Sequence, residues 1–129
     1  MYYIEKTVVI SAAHHLEGYN GACRNVHGHN WKVTVFCKGE ELDEIGMLVD
    51  FRKISQAVKL LGDHTDLNPA PCKSCGHRET VSKHFCIINP TAENIAKWIC
   101  DRISLCYKVK VEETEGSVCT YVQEQKKPA

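Results

Sequence analysis

The sequence predicts an α+β domain, a four-stranded antiparallel sheet with two helices on one face. Three observations predict it. Segments of alternating β-branched and aromatic residues come in two pairs, one near each end of the chain. Between the pairs lie two stretches with apolar residues at helical spacing. The chain has 129 residues, the length of one domain, so a single core must serve every element. The order strand, strand, helix, helix, strand, strand suits an antiparallel sheet with its helices gathered on one side.

Tyr2 to Ile10 is rich in β-branched and aromatic residues and reads as the first strand. Glu17 to Val26 carries Gly18, Asn20, Gly21 and Asn25 and reads as a loop. Trp31 to Lys38 alternates as a second strand. Glu40 to Gly46 is polar and turn-like, and Met47 to Val49 reads as a short extended run. Asp50 can cap a helix in which Phe51, Ile54, Val58 and Leu61 share a face, with Gly62 ending it. Thr91 can cap a second helix, with Glu93 in its first turn and Ile95, Ile99 and Ile103 as its apolar stripe. Tyr107 to Glu113 and Val118 to Gln123 read as closing strands around Glu115-Gly116-Ser117. Residues 69–88 have no clear period and read as a Cys/His-rich excursion between the helices within one domain spanning 1–129.

Sixteen basic residues balance sixteen acidic ones, which argues against a nucleic-acid partner. No apolar run is long enough to cross a bilayer, so no membrane partner is expected. The first residues lack the basic-then-apolar pattern of a signal peptide, and the expected location is cytoplasmic. The eight cysteines then read as thiols, metal ligands or catalytic groups rather than disulfides. Cys37, Cys100, Cys106 and Cys119 sit among apolar neighbours and read as small core residues.

The strongest local chemical signal is His27-Gly28-His29. Residues two apart at a strand entry point to one face, so both imidazoles can reach one metal ion. His14, after Ser11-Ala12-Ala13, can supply a third ligand, and three histidines leave a tetrahedral zinc one open position. His15 competes for that place, but strand alternation sends His14 and His15 to opposite faces. Taken alone, the pair also reads as two partly exposed surface histidines. Cys23, four residues before His27, can act as base or nucleophile if a metal depresses its pKa, or it is a structural loop thiol. In Asp63-His64 the carboxylate can fix the ring tautomer, or the pair is a solvated helix end. Glu113 shares a strand face with Val109 and Val111, where a carboxylate needs a partner such as ligand N–H groups, or reaches solvent at the strand end. Glu112 falls on the outer face with Lys108 and Lys110.

Together these segments resemble the 6-pyruvoyl/6-carboxy-tetrahydropterin synthase family. The resemblance rests on Ser11 to Leu16, Cys23 to Asn30, Gly46 to Phe51, Asp63 to Asn68, Asn89 to Asn94 and Glu113-Thr114, in that order. The spacing Cys23-x-x-x-His27-Gly28-His29 is the specific part. The resemblance implies a tunnelling fold, in which subunits join their sheets into a barrel, with a hexamer as the expected homo-oligomer. It implies Zn2+ on His14, His27 and His29, proton transfer by Cys23, Asp63 and His64, and a pterin anchored by Glu113 with Thr91 and Glu93 in the binding set. The implied reaction turns 7,8-dihydroneopterin triphosphate into 6-carboxy-5,6,7,8-tetrahydropterin, releasing triphosphate and acetaldehyde, in the queuosine pathway. His15 stands where the family often has arginine, and Ile10 where an aromatic is common.

Three other readings are open to the same residues. They are a 6-pyruvoyl product, a zinc-dependent cyclohydrolase on a purine nucleotide, and a non-catalytic metal-binding assembly subunit. In the excursion, Cys72, Cys75, His77, His84 and Cys86 can make a second, structural metal shell, or are ordinary loop thiols and imidazoles.

Overall fold

The computed structural model describes residues 1–16, 18–22, 27–61, 65–67, 70–71, 78–79, 86–87 and 89–123. Cys23, Gly62, Asp63, His64, Cys72, Cys75, His77 and His84 lie outside the described residues. Strands β1 (Tyr2–His14) and β2 (His27–Gly39) are followed by helix α1 (Phe51–Lys59) and four two-residue strands: β3 (Thr65–Asp66), β4 (Ala70–Pro71), β5 (Arg78–Glu79) and β6 (Cys86–Ile87). Helix α2 (Ala92–Arg102) and strands β7 (Cys106–Thr114) and β8 (Ser117–Val122) complete the described chain. The main sheet runs β3-β1-β2-β7-β8, and β4-β5-β6 form a small second sheet within residues 69–88.

The four long strands and two helices expected from the sequence are present. β3 is an addition: it joins β1 in parallel at Ala12 and Ala13, and the Leu67 amide donates to the Ala13 carbonyl at 2.8 Å. This edge backbone needs hydrogen-bond partners, and the chain leaving α1 supplies them. Met47 to Val49 form no strand; they lead through a bend into the cap of α1.

Both long strands run further than periodicity alone indicated, so the histidines lie within the ladder. β1 pairs with β2 from Tyr2↔Gly39 to His14↔His27. The core face carries Val8, Ile10 and Ala12 from β1, Trp31, Val33, Val35 and Cys37 from β2, and Val109 and Val111 from β7, all buried. Ile54 and Val58 of α1 and Ile95 and Ile99 of α2 close over it, each fully buried. A side chain of this size contributes about 1.5–3 kcal/mol when buried. Asp50 caps α1 by accepting from the Arg52 amide at 2.8 Å, and Thr91 caps α2 by accepting from the Asn94 amide at 3.1 Å. Phe51 departs from its expected place. It lies at the rim of the apolar stripe, is 49% exposed, and shares a surface groove with Lys6. Cys37, Cys100 and Cys106 are buried thiols, whereas Cys119 is only half-buried.

Strand β7 is irregular at both ends. Phe36 faces Lys108 but Cys37 faces Cys106, so Tyr107 is an extra residue in the ladder with β2. Glu112 faces Val118 but Thr114 faces Ser117, so Glu113 is an extra residue in the ladder with β8. Bulges of this kind bend a strand and re-aim a side chain.

Candidate metal centre

Alternation places His14 on the core face of β1 and His27 and His29 on the core face of β2, one pleat beyond Trp31. The register brings His14 opposite His27 and Ala12 opposite His29, so a small methyl leaves room where rings must gather. Ring centroids lie 4.5 Å apart for His14 and His27, 5.0 Å for His14 and His29, and 4.7 Å for His27 and His29. Trp31 packs edge-on to His14 and His29 and fixes itself by donating from Nε1 to the Ala12 carbonyl at 3.1 Å. Glu113 reaches the same point from β7. Its Oε1 lies 2.7 Å from His29 Nε2 and 3.2 Å from His14 Nε2. One ligand atom from each of His14, His27, His29 and Glu113 falls within 4.8 Å of all the others.

Three details suit these residues to a cation. His14 Nδ1 lies 2.7 Å from the Pro90 carbonyl. A carbonyl only accepts, so Nδ1 carries the proton and the lone pair sits on Nε2, which faces the cluster. His14 Nε2 and His29 Nε2 are buried and make no hydrogen bond, despite the nearby carboxylate oxygen. Buried ring nitrogens seldom stay without a partner unless a ligand completes them. Burial pushes both imidazoles below their ordinary range. The Pro90 carbonyl pulls the other way for His14, as does Glu113 for both rings. They are therefore neutral at pH 7, the form that binds metal.

Glu113 also lines an open cavity of about 410 Å³ with Ala92, Glu93, Ser117, Val118 and Cys119. The metal cluster and this cavity thus share one carboxylate. Glu93 faces the cavity, while the Thr91 hydroxyl is engaged in the α2 cap. His15 is not in the cluster. Sequence reasoning missed the Pro90 carbonyl, the Trp31 buttress and the cavity positions of Ser117 and Cys119. The apolar neighbours of Cys119 masked its place on the cavity wall, and nothing local marks a backbone carbonyl as a partner for a ring 76 residues away.

The fold and site define a class: a small α+β protein with three sheet-borne histidines that could hold a cation beside a ligand-sized cavity. A model of the 6-pyruvoyl tetrahydropterin synthase family matches residues 3–124. The chain belongs to that family. It is 35% identical to the 6-carboxy-5,6,7,8-tetrahydropterin synthase of Bacillus subtilis, an alignment covering 92% of this chain and 83% of the relative. It is 32% identical to the human 6-pyruvoyl tetrahydrobiopterin synthase over 78% of this chain and 70% of that protein. The solved 6-pyruvoyl tetrahydropterin synthase of Caenorhabditis elegans superposes with a TM-score of 0.64 at 26% identity, covering 95% of this chain and 96% of that one.

Proposed function

We propose that this protein is a zinc-dependent lyase converting 7,8-dihydroneopterin triphosphate to 6-carboxy-5,6,7,8-tetrahydropterin, with release of triphosphate and acetaldehyde. The observation that carries this reading is the convergence of His14, His27 and His29 beside a cavity that Glu113 also lines. The similarity to proteins named for that product, at 35% identity for the Bacillus subtilis relative, favours it over the 6-pyruvoyl product. An all-imidazole set with an added carboxylate suits zinc. Bound there, zinc supplies a Lewis acid that makes protons next to substrate hydroxyls easier to remove.

The chain's own groups supply the rest. His14 is fixed in tautomer and direction by the Pro90 carbonyl. Trp31 shields the rings on the core side. Glu113 and Glu93 face the cavity, where carboxylates can accept the paired N–H groups of a pterin. Cys23, Asp63 and His64 are assigned the proton transfers on the substrate side chain by their positions in the family motifs. Strand β3 pairs with β1 at Ala12 and Ala13, just before His14.

Incubation of zinc-loaded protein with 7,8-dihydroneopterin triphosphate tests the reading, with the pterin product identified by mass and acetaldehyde trapped. The 6-carboxy product with acetaldehyde supports it; a 6-pyruvoyl product redirects it to the second activity. The contact between Glu113 and two histidines favours one variant reading, in which Glu113 ligates the metal. Glu113→Gln separates the two: retained zinc with weakened pterin binding supports the anchor, and lost zinc supports the ligand.

A homo-oligomer, a hexamer by family resemblance, is part of this proposal. Among the described residues, the edge of β1 before Ala12 and the outer edge of β8 have no strand partner, and sheet edges of that length need cover. A queuosine-pathway role and a cytoplasmic location accompany it. Four described cysteines that are free thiols suit a reducing compartment. Residues 69–88 are, in this reading, an insertion within the single domain.

A further inference from the structure

A second cavity lies on the helix side of β1, away from the histidines. It has a volume of about 270 Å³ and is lined by Lys6, Phe51, Arg52, Ser55, Gln56 and Lys59. Phe51, Ser55 and Lys59 succeed one another at four-residue spacing on α1, with Arg52 and Gln56 beside them, so one helix face supplies most of the wall. Lys6 closes it from β1. It lies on the same strand face as Val8, half-buried just outside the apolar core.

Among the described residues, the wall holds three cations and no carboxylate. Among the described residues, none of the three cations is paired with an acid. The adjacent Asp50 carboxylate is engaged in capping α1. The chain as a whole has no net charge, so this positive groove is local. Arg52 and Lys59 are seven residues apart, about 10.5 Å along a helix. A chain of phosphates laid along that face can engage both cations at once. Ser55 and Gln56 add hydrogen-bond donors between the charges, and the half-exposed Phe51 ring offers a flat surface at the end of the groove. Lys6 precedes His14 by eight strand residues, about 26 Å, so the groove is remote from the histidine centre of the same subunit.

We propose that this groove is a polyphosphate-binding site, separate from the candidate metal centre, taking a triphosphate chain that is either inorganic or carried by a nucleotide. The proposal does not depend on the pterin chemistry. Calorimetric titration of the purified protein at physiological salt tests it, with sodium tripolyphosphate and with GTP as separate probes. The expected result is saturable binding that weakens at least tenfold in Arg52→Gln/Lys59→Gln. It should stay within twofold in Lys32→Gln/Lys110→Gln, which removes two exposed cations from the opposite face, and in His27→Ala. Tighter binding of GTP than tripolyphosphate, lost in Phe51→Ala, assigns a nucleotide; equal binding assigns the bare phosphate chain. Absence of saturable binding overturns the proposal. So does equal loss in the opposite-face variant, which would mean diffuse attraction, or loss only in His27→Ala, which would place the anion at the histidine centre. A changed sedimentation coefficient for Arg52→Gln/Lys59→Gln also overturns it, because the groove would then be a contact between subunits. Arg52 and Lys59 are both exposed, and an unchanged thermal melt of the double variant confirms intact folding.

Discussion

The two ends of the central sheet each gather residues that can hold a metal, and only one end is arranged to do so. At one end His14, His27, His29 and Glu113 converge with ring nitrogens that have no hydrogen-bond partner. At the other end Cys37, Cys100 and Cys106 lie buried together on facing elements. Those thiols are satisfied. Cys100 donates to the Cys106 carbonyl at 3.7 Å, Cys106 to the Lys108 carbonyl at 3.5 Å, and Cys37 reaches the Ser104 carbonyl at 4.0 Å. The Cys106 thiol is pushed up to about 11: contact with Cys37 and burial outweigh the opposing contact with Cys100, so it stays protonated where a ligand must be thiolate. Burial acts oppositely on imidazole, keeping His14 and His29 neutral and able to bind. A bulge on β7 serves each end. The one at Glu113 accompanies a carboxylate aimed at the histidines, and the one at Tyr107 turns Cys106 into the core. Residue type therefore does not make a metal site; unsatisfied donors in the binding protonation state do.

The largest test of this contrast is loss of a ligand at each end. His27→Ala should abolish metal binding and with it most turnover, whereas Cys37→Ala should leave metal content unchanged. Metal analysis of both purified proteins measures this, and equal losses would erase the distinction. Trp31→Ala should come next. The ring is fully buried against both the core and two of the histidines, and its removal should cost about 3–5 kcal/mol in denaturant unfolding, with weakened metal retention.

Acidification should act on the histidine end alone. The folded values of His14 and His29 lie below the ordinary 6.5, so the unfolded chain binds more protons as pH falls past that value. Their contribution to stability is complete above about 6.5 and is lost as pH falls through the folded values. Protons compete with metal in the same direction. Metal-free protein should therefore lose stability, and loaded protein should release metal, in a titration from pH 7.5 to pH 5. Cys106 has no transition in that window.

The smallest effects should come from local supports. Cys106→Ala should cost about 1–2 kcal/mol with zinc unaltered. Thr91→Ala removes the α2 cap and should cost about 1 kcal/mol, with a modest loss of metal affinity because Pro90, which orients His14, immediately precedes it. Full metal affinity in Thr91→Ala would show that the cap and the His14 support are independent.

The sequence alone determined the features that local rules govern. Alternation and helical spacing marked out the four long strands and two helices, because a period is a property of neighbouring residues. Asp50 and Thr91 read as caps because capping joins residues two or three apart. Parity grouped Glu113 with Val109 and Val111, and Glu113 does reach the histidines on that face; His15, just past the end of β1, is not among the clustered residues. Tertiary structure decided what depends on distant segments meeting. The β1–β2 register sets His14 opposite His27, both bulges exist only relative to a partner strand, and Pro90 reaches His14 only once α2 packs on the sheet. Phe51 and Cys119 were placed in the core by their apolar sequence context, and the structure leaves both at cavity walls. Burial is decided by what covers a residue, and the covering elements are far away in the chain.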